Sequence, residues 1–84
     1  MYDKEKGIYP AGSYLVGRDL PLGGYIFKAK RGETGMVSLF KNYEDFKNKK
    51  NAIVDQWFED DIHLCLEEEN NFLLVEEATI KRNL

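Results

Sequence analysis

The sequence predicts an all-β fold, a small sandwich or roll of about six or seven short strands, with at most one short helical turn near residues 43–50. Three observations predict it. Short runs of aromatic and β-branched residues recur at a spacing of roughly 8–12 residues, the first two bounded by Gly and Pro. One run, 62–66, alternates strictly between apolar and other residues. Only one segment shows helical spacing, and it is too short to be stable without packing partners.

In chain order, the first strands are Tyr14-Leu15-Val16 and Tyr25-Ile26-Phe27. Met36-Val37-Ser38-Leu39-Phe40 follows the turn-like Arg31-Gly32-Glu33-Thr34-Gly35. The helical candidate is Tyr43 to Lys50, with Asn42 placed to cap it and Asp45 three residues on. Ile53-Val54 with Trp57-Phe58 forms the next apolar segment. Ile62, Leu64 and Leu66 share one face of a strand, with His63 and Cys65 on the other. Phe72-Leu73-Leu74-Val75 is continuously apolar, the pattern of a strand covered on both faces. Ala78-Thr79-Ile80 is a last short strand. The expected core is Tyr14, Val16, Tyr25, Phe27, Val37, Leu39, Phe46, Ile53, Trp57, Ile62, Leu64, Leu66, Phe72, Leu74 and Ile80.

An internal repeat punctuates the amino-terminal third. Pro10-Ala11-Gly12-Ser13-Tyr14 recurs as Pro21-Leu22-Gly23-Gly24-Tyr25, so both copies read Pro-x-Gly-x-Tyr. Proline presets φ and glycine accepts the positive φ of a tight turn, so each copy reads as a turn launching a strand. Gly17-Arg18-Asp19 makes a second turn between the copies, and the expected result is two adjacent strands entered by similar turns.

Residues 1–84 are one domain, since 84 residues fall below the usual domain size. Eleven aromatic residues supply enough burial to exclude disorder. No apolar run reaches the ~18 residues of a membrane span. No secretory signal is read at the amino terminus, which implies a cytoplasmic chain, or an extracellular one if a leader had been removed. One cysteine excludes an intrachain disulfide and a Cys-based zinc site.

The net charge of -3 conceals an asymmetry. Residues 1–50 hold ten Lys/Arg against six Asp/Glu, and residues 51–84 hold two against nine, so a +4 half joins a -7 half. The acidic candidates for a protein-interaction surface are Glu59, Asp60, Asp61, Glu67, Glu68, Glu69, Glu76 and Glu77. A second candidate surface is aromatic and basic: Tyr9 and Tyr25 beside Lys28, Lys30 and Arg31. The plain alternative is that the charges are solvated turns that pair across the fold and the tyrosines are core-edge packing. The acidic balance argues against direct nucleic-acid binding.

His63 and Cys65 test poorly as a catalytic dyad, because i and i+2 on a strand lie roughly 7 Å apart. Glu59-Asp60-Asp61 lacks the glycine-centred calcium loop. There is no nucleophile elbow, phosphate loop, dinucleotide fingerprint or zincin motif. No catalytic residue, metal ligand or cofactor is assigned, and the chain reads as a non-enzyme.

The segment Tyr9 to Tyr25 resembles a family of small all-β domains of Gram-positive bacteria and their phages, written A-G-x-Y-x-V-G-x-D-I-P-x-G-x-Y. Every fixed position matches except Leu20, where the family has isoleucine. Asn71-Phe72-Leu73-Leu74-Val75 and Ala78-Thr79-Ile80 are similar to its closing strands, while residues 31–60 match only in general character. The resemblance implies a compact all-β domain and little about activity, since most members have none assigned. Such domains are often appended to secreted or lipid-anchored proteins; a signal, a lipid-attachment cysteine and a second domain are not read here.

The expected function is a non-enzymatic binding or accessory domain acting through protein–protein contact, with pairing of two copies through a sheet edge as an additional mode. The alternative is a phage- or mobile-element-encoded inhibitor whose acidic surface blocks a basic nucleic-acid-binding groove, in the manner of an anti-CRISPR protein.

Overall fold

A computed structural model describes residues 7–83. The elements are β1 (Ile8–Tyr9), β2 (Gly12–Leu15), β3 (Gly23–Ala29), β4 (Gly35–Phe40), α1 (Tyr43–Asn48), β5 (Val54–Phe58), β6 (Asp61–Leu66), β7 (Phe72–Glu76) and β8 (Ala78–Arg82). Two antiparallel four-stranded sheets form, with order β1-β8-β3-β6 in sheet 1 and β2-β7-β4-β5 in sheet 2. The all-β architecture and the single short helix are those expected. The eighth strand is the two-residue β1, too short to carry an alternation signal.

The core lies between the sheets. Tyr25, Phe27, Ala78 and Ile80 from sheet 1 meet Val37, Leu39, Leu73 and Val75 from sheet 2, and all eight are buried. Register explains the choice of face. Phe27 opposes Ile80 and Ile62, while Leu39 opposes Leu73 and Val54. At the closed end Gly35 has no alternative, because a Cβ there would lie 2.7 Å from the Phe58 ring. Leu20, absent from the expected core, is fully buried in the loop before β3, where its carbonyl accepts from the Gly17 N–H at 2.8 Å.

Three expected core residues face the other way. Ile53 and Trp57 are 52% and 66% exposed, because β5 turns Val54 and Phe58 inward instead. Leu74 is only half-buried, because the opposite phase of β7 buries Leu73 and Val75. Phe46 and Phe72 pack not in the core but against each other on the outer face of sheet 2, with stacked rings 5.4 Å apart.

The Pro-x-Gly-x-Tyr repeat is a structural device. The Tyr25 hydroxyl donates to the Pro21 carbonyl at 2.5 Å, and the Tyr14 hydroxyl donates to the Pro10 carbonyl in the same way. A tyrosine tied back to the backbone a few residues upstream is a tyrosine corner, which fixes where a chain enters a sheet. Gly12 (φ 154°) and Gly23 (φ 142°) supply the positive φ both bends need. The two launched strands are not adjacent, as the sequence had suggested: β2 lies in sheet 2 and β3 in sheet 1. The bends carry the chain between layers instead of reversing it within one. Between them, Asp19 Oδ2 accepts from the Leu15 N–H at 2.8 Å and closes the turn, with Gly17 at φ 97°.

Helix α1 connects β4 to β5 across the outer face of sheet 2. Asn42 Oδ1 accepts from the Asp45 N–H at 2.9 Å, which is the expected cap. Lys49 ends the helix in the left-handed region, at φ 54°. Phe46 holds the helix down against Phe40 and Phe72.

Candidate interaction surface

Side-chain alternation gives each sheet one buried and one outward face, and the two outward faces differ in chemistry. On sheet 1 the outward residues include Asp61, His63 and Cys65 from β6, Ile26 and Lys28 from β3, and Thr79 and Lys81 from β8. Asp61 sits directly opposite Lys28, and His63 opposite Ile26. This face is mostly polar.

The outward face of sheet 2 is apolar and aromatic. Register sets its side chains in rows. Trp57, Met36 and Glu76 form one row across β5, β4 and β7. Asp55, Ser38 and Leu74 form the next, and Phe40 with Phe72 a third beneath α1. The first two rows border an open groove of about 280 Å³ with Met36, Phe40 and Leu74 as its floor. Trp57 stands at its edge, the most exposed large apolar side chain among the described residues. Buried Ser38 gives its proton to Asp55 Oδ1 at 3.2 Å, with Met36 Sδ 3.0 Å from the same hydroxyl. Lys49 reaches the rim, but its Nζ donates to the Phe46 carbonyl at 3.0 Å and lies 4.1 Å above the Phe46 ring.

The acidic candidates do not form one surface. Glu59 and Asp60 occupy the β5–β6 turn and Asp61 begins β6, in a depression of about 450 Å³ that they share with Lys28 and Arg31. Glu77 lies 3.9 Å from Lys30, both ends exposed, a pair of little energetic weight. Glu67, Glu68 and Glu69 follow the far end of β6, about 17 Å along that strand from Asp61. Glu76 belongs to the groove on sheet 2. Strands running between two ends of a sandwich scatter residues that are close in sequence, so the acidic candidates are divided among several places.

The aromatic and basic candidate surface does not form either. Tyr9 is buried and Tyr25 fully so, with the Tyr25 hydroxyl taken by Pro21. Burial pushes the Tyr25 phenol above its ordinary value, with a smaller push from Tyr9 and an opposing pull from Arg82. Lys28, Lys30 and Arg31 are exposed without these rings.

His63 and Cys65 lie on the exposed face of β6, bordering a shallow depression of about 150 Å³ with Gly24 and Asn83 and no carboxylate to orient the imidazole. Among the described residues no group of three or more His, Cys, Asp or Glu could hold a metal ion, and no helix is long and apolar enough to cross a membrane. Trp57 and Leu74, both expected in the core, belong to this groove; an indole sharing a strand face with Asp55 is the signal that this side of β5 looks outward.

No protein-family model, curated protein or solved structure matches this chain.

Proposed function

We propose that this chain is a non-enzymatic binding domain that engages a protein partner through the outer face of sheet 2. One observation carries the reading: Trp57 stands 66% exposed on a strand, beside an apolar groove, on a sandwich whose other outer face is mostly polar. A rigid exposed indole next to an apolar floor is the composition of an interface hot spot. On this reading the chain is one of the small β-domains whose motif it resembles, and the motif is scaffold. Tyr14, Tyr25, Asp19 and Leu20 are all engaged in corners, a turn and the core, leaving the binding residues outside the matched segment.

The inhibitor reading requires a contiguous acidic field. The division of the carboxylates, with Glu59 to Asp61 beside Lys28 and Arg31, lends it less support.

Side-by-side capture from source cells tests the proposal. Trp57→Ala should unfold within about 0.5 kcal/mol of the parent, as an exposed site does, yet lose the captured partner. Equal yields from parent and variant, with loss instead on replacing Asp61 and His63 by Ala, would move the site to sheet 1 and reject the proposal.

A further inference from the structure

We infer that the groove on sheet 2 receives an arginine side chain of the protein partner, its guanidinium stacked on Trp57 and paired with the carboxylate of Glu76. The inference rests on the outer face of sheet 2 being the binding surface and names the chemistry it selects.

The argument is one of donors and acceptors. The groove offers two carboxylates, Asp55 and Glu76. Glu76 has no side-chain hydrogen bond or ion pair among the described residues. The Ser38 hydroxyl is committed to Asp55, and Lys49 is turned onto the Phe46 carbonyl and ring, outside salt-bridge distance of Glu76. The groove therefore presents two carboxylates, and Glu76 has no cation within salt-bridge distance among the described residues. A ligand that neutralises Glu76 brings positive charge and N–H donors to it.

Geometry narrows the choice. Trp57 and Glu76 sit in one row on either side of Met36, two strand spacings or about 10 Å apart. An arginine stem can lie along Met36 while its planar head faces the indole and its fork meets a carboxylate. Asp55 is two residues from Trp57 on the same face, about 7 Å along β5. An ammonium would use the carboxylates but gain less from the indole face. A glycan could stack on the indole and donate hydroxyls to the carboxylates, but it brings no charge to neutralise Glu76.

The probe is acetyl-Leu-Arg-Leu-amide, titrated to millimolar concentration against the labelled protein, with the citrulline peptide as its neutral match. Resonances of the Trp57 indole and Met36 methyl should shift and saturate with the arginine peptide. Affinity should fall about tenfold with citrulline, and several-fold in Glu76→Gln, whose otherwise unchanged spectrum verifies the fold. Equal affinity for the two peptides, no saturable shift, or a response to cellohexaose in place of the peptides overturns the arginine assignment. Failure of the surface reading is separate: there Trp57→Ala still captures the cellular partner.

Discussion

Tyr25 holds a position where burial, hydrogen bonding and titration act on one atom. Its hydroxyl closes a corner onto Pro21, and its ring is fully buried in the core beneath β3, the strand that lies between β6 and β8. Tyr25→Phe keeps the ring and orphans the Pro21 carbonyl, so it should lower stability by about 1 kcal/mol in urea unfolding. The pH dependence follows from the raised phenol. The folded chain holds this proton more tightly than the unfolded chain, whose tyrosine titrates near 10. The stabilisation is fully present below that value and is lost as pH rises above it. Unfolding free energy measured from neutral to strongly alkaline pH should fall steeply above pH 10 in the parent and less steeply in the phenylalanine variant. Parallel curves would show that Tyr25 ionises as freely folded as unfolded.

At the scale of elements, α1 is six residues long and stands only because it is capped and pinned. Asn42→Ala removes the cap and should cost about 1 kcal/mol, roughly 4–8 °C in melting temperature for a domain of this size; Asn42→Asp should restore it. An unchanged melting temperature would place α1 outside the cooperative unit. The element boundaries were legible in the sequence to a degree that their facing was not. β6 alternates, and its inward face was read correctly from Ile62, Leu64 and Leu66. β5 is bounded by two adjacent apolar pairs, Ile53-Val54 and Trp57-Phe58, and only one member of each can point inward. Parity alone does not choose between them; pairing with β4 does, and it selects Val54 and Phe58. β7 raised the same ambiguity, since four apolar residues in a row carry no phase. The groove was therefore invisible in sequence: its walls are residues from three strands brought into rows by register, and its Trp57 had been assigned to the interior.

At the scale of the whole molecule, connectivity dominates. Every pair of consecutive strands lies in opposite sheets except β4 and β5, which α1 joins. Each sheet is thus assembled from strands distant in sequence, and β8 lies inside sheet 1, between β1 and β3. A chain ending at Glu77 should lose Ala78 and Ile80 from the core, both fully buried, and leave β3 unpaired along one side. Far-ultraviolet circular dichroism with urea titration should show no cooperative transition for it. A sigmoidal transition close to that of the parent would mean that sheet 2 folds alone.

The inner position of β8 also sets a timetable for synthesis. Strand β3 leaves the ribosome early, yet one of its two partners ends at Arg82, 53 residues beyond Ala29. At translation rates of roughly 5–20 residues per second, that delay is about 3–10 s. Throughout it, Tyr25 and Phe27 belong to a strand with an open side, the state most exposed to wrong pairing on crowded polysomes. The same topology that ties the finished sandwich together leaves β3 with an open edge until the last strand is made.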